Sequence, residues 1–259
     1  MQIGAFTQYF DIAQITLYGF WIFFAGLVLY LQREAKREGF PLVSDLPGRV
    51  VLEETGGLPT PKVFLLHNGS IVLAPRMEAP EAEPKAMPIA SFPGAPLDPT
   101  GDPMIDGVGP AAWANRSDMP DVMWETGEAR IVPTRVATDF EVAGEDPNPI
   151  GMDVIGCDGL VGGVVTDVWV DRSETVARYL EVEVRSAAGM RHVLLPTTMS
   201  VIRSKPRQVK VRSITSFQFV NVPGLRNPDQ VTRLEEDKIC AYYAGGTLYA
   251  TAGRTEPLI

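Results

Sequence analysis

The sequence predicts a single N-terminal transmembrane α-helix followed by a mainly-β cytoplasmic domain, a small barrel or sandwich, that closes with a C-terminal α-helix. Three observations carry this expectation. A run without charge extends from Ile12 to Gln32, short runs of alternating apolar and polar residues recur between Gly151 and Ile214, and the pattern becomes helical after Asn227.

About 20 residues of helix, rising 1.5 Å each, cross a hydrocarbon core of roughly 30 Å. Residues Ile12–Gln32 meet that length, interrupted only by Gln14, Thr16 and Gln32 as clearly polar side chains. No Lys or Arg precedes the run and no small-residue cleavage site follows it, so it reads as an uncleaved anchor and not as a signal peptide. Arg33, Lys36 and Arg37 follow at once, whereas the residues before the run offer only Asp11. By the positive-inside rule the N-terminus, residues 1–11, lies outside and the bulk of the chain in the cytoplasm. Tyr9, Tyr18 and Tyr30 suit interface anchors, and the basic cluster is positioned for membrane lipid headgroups.

Residues 33–115 form a proline-rich, extended segment. Within it, "KVFLLHNGSIVLAPR" (residues 62–76) sets two apolar runs around Asn68-Gly69, a strong hairpin signal. His67 is a turn residue there. From Met77 to Pro110, spaced prolines disallow long helices and central strands, and an ordered chain of this kind needs a surface that supplies its hydrogen-bond partners. That points to a partner protein.

Residues 116–220 are strand-rich. "GGVVTDVWVD" and "YLEVEV" alternate with period two, the signature of strands with one buried face, and "HVLLP" and "QVKVRSI" supply more. Asp158-Gly159 and Ala188-Gly189 mark turns. In residues 221–259, "NPDQVTRLEEDKICAYYAGG" reads as a helix capped by Asn227 or Asp229 and stopped at Gly245-Gly246.

Charge and motif content exclude several classes. A net charge of −9 argues against a nucleic-acid partner, because duplex affinity depends on Lys and Arg neutralising phosphates. The two cysteines, Cys157 and Cys240, are far apart and are expected to be free thiols in the reducing cytoplasm. There is no Cys-x-x-Cys-His for haem, no Gly-rich dinucleotide fingerprint and no Gly-x-Ser-x-Gly elbow, so the chain reads as non-enzymatic. The only histidines, His67 and His192, lie outside the apolar run, which leaves no axial ligand for a membrane pigment.

Several strings resemble one family in order: "GFWIFFAGLVLYLQREAKREGFPL", "GDPMIDGVGPAAW", "NPIG", "GGVVTDVWVDRSE", "ARYLEVEV" and "LEEDKICAYYAGGTLYA". The sequence is similar to the H subunits of purple bacterial photosynthetic reaction centres. The resemblance implies one transmembrane helix and a PRC-barrel domain over residues 116–220 that caps the L and M subunits. It implies that bacteriochlorophyll, bacteriopheophytin, quinones and non-haem iron belong to L and M, with no cofactor or metal held by this chain. A cytochrome subunit and the light-harvesting antenna are further candidates for contact. The implied membrane is the photosynthetic inner membrane, with a periplasmic N-terminus. A reading from another class is a membrane-tethered PRC-barrel adaptor that recruits a soluble partner.

The family's function implies proton delivery to the secondary quinone, whose reduction to quinol consumes two protons. The resemblance assigns Asp171, Glu174 and Arg178 in "VDRSETVAR" to the quinone end of this route and Asp121 to a point nearer its entrance. Carboxylates suit such relays when burial and like charges raise their pKa, whereas an arginine supplies charge balance because its guanidinium stays protonated. Each also has a plainer reading. Glu174 and Arg178 stand four apart, as in an exposed helical ion pair worth about 0.3–0.5 kcal/mol. Asp171 suits a turn or cap. The His-x-His pair that some members carry before the "RIVPTRV" strand has no counterpart in "MWETGEARIVP". Glu125 and Glu128 stand there instead, as surface proton collectors or simple loop charges. The run Glu235-Glu236-Asp237-Lys238 is by default a solvated helix face, and the resemblance implies that some of it contacts the L and M subunits or the relay.

Overall fold

The computed structural model describes residues 11–38, 59–67, 69–74, 83–92, 94–187 and 189–255. These fall into two compact units, one holding the N-terminal part with residues 91–95, the other holding residues 83–90 and 96–259.

In the first unit, helix α1 spans Ile12–Ala35. Asp11 caps it, its carboxylate accepting from the Gln14 amide at 2.7 Å, and Arg33 sits in the last turn, where a cation complements the helix dipole. None of its residues is buried, and Phe20, Trp21 and Phe24 meet on its surface with ring centroids 5.5–5.9 Å apart. Its 24 residues are long and apolar enough to cross a membrane. Beyond it, Glu34 accepts from Arg37 at 3.1 Å and also from Lys62. Strands β1 (Lys62–Leu65) and β2 (Ile71–Ala74) pair as the expected antiparallel hairpin, Leu65 opposite Ile71. Gly69 turns it at φ 80°, a conformation that suits glycine; Asn68 lies outside the described residues. Val63, Phe64, Leu65, Leu66, Ile71 and Leu73 are all exposed.

The second unit begins within the proline-rich segment. Strands β3 (Ala86–Pro88) and β4 (Leu97–Pro99) form a short antiparallel pair, and helix α2 (Pro103–Asp106) is a single turn capped by Asp102. This corrects the expectation that the segment depends on a partner for its hydrogen bonds. From Glu83 onward much of its backbone is satisfied within the chain, with bonds such as Ile89 N–H to Pro96 O at 3.0 Å and Thr100 N–H to Lys85 O at 3.0 Å. Residues 77–82 and 93 lie outside the described residues.

The main sheet comprises β5 (Ile131–Pro133), β6 (Asp153–Ile155), β7 (Val161–Asp171), β8 (Val176–Ser186), β9 (Gly189–Pro196), β10 (Ser200–Arg203) and β11 (Gln208–Val211). Its order is β10-β11-β6-β7-β8-β9, with β5 pairing the end of β7; only β11 and β6 run parallel. Two register shifts in the β7–β8 ladder, at Val165/Asp167 and Trp169/Val170, bend and coil the strand. The expected one-sided burial therefore holds only for the first half of β7. From Asp167 to Asp171 every side chain is buried, because β5 and the curled sheet cover both faces. The turn at Asp158-Gly159 is present, with Gly159 at φ 80°.

Helix α3 (Arg233–Tyr249) packs Ile239, Tyr242 and Tyr243 into a core that includes Trp169, Phe219 and Leu195. Both of its ends differ from expectation. The cap is Thr232: its hydroxyl accepts from the Glu235 amide at 3.1 Å while Glu235 accepts from the Thr232 amide at 2.9 Å, a reciprocal box written in Thr-x-x-Glu. Asn227 instead accepts from the Asp229 amide in the preceding turn, and Asp229 pairs with Arg135. Gly245 and Gly246 do not stop the helix; they lie inside it because it runs against neighbouring backbone. A Cβ on Gly245 would stand 2.5 Å from Ala111 Cβ, and one on Gly246 only 2.7 Å from Ser213 O. Both cysteines are free thiols.

Candidate functional site

Asp171 ends β7 and is fully buried, so an unpaired charge there would be costly. Five donors meet it. Oδ1 accepts from Arg130 Nε at 2.8 Å and from the backbone amides of Ser173 and Glu174 at 3.0 and 3.1 Å, the local geometry of a tight turn after a strand. Oδ2 accepts from Arg178 Nε and Nη2 at 3.3 and 3.2 Å. Burial works against the charge, but the Arg130 hydrogen bond and the two backbone amides outweigh it, and the carboxyl is held below its ordinary pKa.

Glu174 sits in the β7–β8 turn, with its side chain 55% exposed. It accepts from Arg130 Nη2 at 2.5 Å and from Arg178 Nη2 at 3.2 Å. The four-residue spacing of Glu174 and Arg178 is therefore not helical: the pair bridges a strand turn, with Arg130 as third member. Asp121 stands on the other side of Arg130, 3.5 Å from Nη1, and accepts from Arg233 Nη2 at 2.6 Å. The Arg233 bond lowers its pKa, more than partial burial raises it. Arg130 thus faces a different carboxylate from each of its three nitrogens, and these bonds hold its guanidinium firmly protonated. Glu128 lies outside this knot, paired with Arg172 at 3.0 Å and largely exposed, and Glu125 is exposed in the same loop.

A cleft of about 310 Å³ adjoins the cluster, lined by Arg116, Asp121, Arg178, Tyr179, Arg233, Glu236, Asp237 and Cys240. Here Tyr179 donates to Glu236 Oε2 at 2.7 Å and lies 3.9 Å from Cys240 Sγ. Burial pushes the Glu236 carboxyl up, and raises the Tyr179 hydroxyl and the Cys240 thiol as well. Sequence reasoning missed Arg130, Arg233 and Tyr179, and did not single out Glu236 from a run read either as a solvated helix face or, through the resemblance, as partly in contact with the L and M subunits or the relay. The signal for Glu236 was its spacing: Glu236, Ile239, Cys240 and Tyr243 share one face of α3, and Tyr243 is fully buried. Among the described residues no group of three or more His, Cys, Asp or Glu side chains is arranged to hold a metal ion.

Two family models match the chain. Residues 4–136 match the photosynthetic reaction centre H-chain N-terminal region, which is more than half of the sequence. The chain belongs to the reaction-centre H-chain family. Residues 142–218 match the PRC-barrel domain, the stretch that forms β6 to β11. As an H-chain family member it is a reaction-centre subunit, with one apolar N-terminal helix of membrane-spanning length. The cluster draws on both matched regions: Asp121 and Arg130 come from the first, Asp171, Glu174 and Arg178 from the second. Arg233 and Glu236 come from α3, beyond both.

Proposed function

We propose that this subunit caps the L and M subunits on the cytoplasmic side of the photosynthetic membrane, binds no pigment or quinone itself, and delivers protons to the secondary quinone through the Arg130 cluster. The observation that carries this reading is the three-way Arg130 knot, which holds a surface-accessible carboxylate, Glu174, against a buried one, Asp171. Asp171, kept ionised, supplies a fixed negative charge that attracts protons inward. Glu174 takes up and releases the proton, while Arg130 and Arg178 keep the charges in balance. Asp121 is the link toward the entrance, and Glu236, whose carboxyl burial pushes upward, is a further proton-exchanging group beside it. Glu125 and Glu128 collect protons at the loop surface. The basic residues after α1 support the orientation, with residues 1–11 periplasmic. Pigments and iron remain with L and M, because α1 contains no histidine to ligate them.

Glu174→Gln tests the proposal, since it keeps the side chain's size and removes its ability to cycle a proton. The first electron transfer to the secondary quinone stays close to wild type. The second, coupled to proton uptake, slows by about tenfold or more, each factor of ten corresponding to about 1.36 kcal/mol of barrier. Small weak acids restore part of the rate. Flash-induced kinetics with pH-indicator dyes read both steps, and an unchanged second-electron rate from about pH 6 to 9 removes Glu174 from the route.

A further inference from the structure

A second cavity, of about 470 Å³, lies in the β domain where β10, the residues after β11 and the last turn of α3 converge. Arg212, Arg254, Ser213, Thr198 and Met199 are among its lining residues, and no carboxylate is. That is unusual in a chain of net charge −9. Arg254 is fixed in place: it donates to Ser213 O and Gly246 O, each at 2.6 Å, and to Arg212 O at 2.8 Å. These are neutral acceptors, so its charge has no counter-ion among the described residues. Arg212 is exposed, and although its carbonyl accepts from Arg254, its guanidinium makes neither a hydrogen bond nor an ion pair among the described residues. A third feature is independent of charge. Ser213 is 3% exposed, and its buried hydroxyl has no hydrogen-bond partner. A buried donor left in that state costs about 1–3 kcal/mol, and Ser213 is one of the residues that line the cavity.

We infer that this cavity binds a phosphate group. A guanidinium offers a planar fork of donors that matches phosphate oxygens, and the Ser213 and Thr198 hydroxyls add single donors. Ser200 and Thr247 stand in the same wall but give their protons to Thr197 O and Ala244 O. Met199 and Val201 make one side apolar, which suits a phosphate ester whose organic part lies against them. A phospholipid headgroup and a soluble phosphorylated metabolite share this chemistry.

The test uses the purified reaction-centre complex containing the full chain, titrated with glycerol 3-phosphate and, separately, with mixed micelles doped with phosphatidic acid, both followed by phosphorus NMR line broadening. The native complex binds at least one probe saturably. Arg212→Gln, at an exposed position, weakens that binding by about tenfold, the loss expected for a charged hydrogen-bonding partner. Ser213→Ala weakens it severalfold without lowering the unfolding midpoint, because it removes a hydroxyl that has no partner in the free chain. Variant-sensitive binding of the soluble ester alone assigns a metabolite, and of the micelles alone a lipid headgroup. Absence of saturable binding of either probe, or equal affinities in native and variant complexes, overturns the inference.

Discussion

Asp171 and Glu236 are carboxylates with opposite electrostatics. The first is buried with five donors around it; the second is half-buried, with a tyrosine hydroxyl as its side-chain hydrogen-bond partner among the described residues, and its pKa moves up. A carboxyl raised in the folded state binds its proton more tightly there than in the unfolded chain. Its contribution is greatest below the unfolded value, about 4.3, and is lost as pH rises through the folded value. Glu236→Gln removes that loss while keeping an acceptor for Tyr179. The expected result is a gain in stability at neutral pH that vanishes near pH 4. Denaturant unfolding of the full-length chain in detergent, followed by tryptophan fluorescence, measures it, and a gain that persists at pH 4 rules out the titration as its cause. Asp171 has the reverse dependence: its depressed pKa contributes stability above the unfolded value of about 3.9 that is lost as pH falls through the folded one. Legibility differed between these residues. Family resemblance pointed to Asp171 and Glu174, which the structure brings together, but not to Arg130, because it joins them through a contact 41 residues along the chain.

At the scale of elements, local signals carried well and close packing did not. The β1–β2 hairpin, the α1 span and the strands of the barrel were legible because turn chemistry, length and two-residue alternation are local properties. The end of α3 was misread because a glycine pair looks the same whether it ends a helix or lets one approach its neighbour. Gly246→Ala separates the two roles. A surface glycine in a helix gains about 1 kcal/mol on becoming alanine. Here the new methyl group would meet Ile214 Cγ2 at 2.4 Å and Ser213 O at 2.7 Å, so the substitution overpacks the core. A net loss of about 1–2 kcal/mol is expected. Gly253, which has nothing within 4 Å of a built Cβ, is the control and changes little. A stabilised Gly246→Ala chain, in the same denaturation assay, would contradict the packing role.

For the whole molecule, the asymmetry of basic residues about α1 predicts a cytoplasmic β domain. Protease added to sealed inside-out vesicles should remove the chain beyond Arg37, and right-side-out vesicles should protect it. The reverse pattern would put the carboxylate cluster on the wrong side for cytoplasmic proton uptake. Neither this sidedness nor the cluster follows from composition: the net charge of −9 describes the chain's average and conceals basic groups gathered at the end of α1 and around buried acids. The β1–β2 hairpin has a consequence for biosynthesis. Two strands alone are marginally stable in water, and Val63, Leu65, Ile71 and Leu73 leave this pair with an exposed apolar face. A newly made copy that has not joined its complex therefore carries a sticky, readily attacked segment. We expect orphan copies to be cleared by quality-control proteolysis, so that the cellular level of this chain follows the supply of its assembly partners; equal half-lives with and without those partners would contradict this.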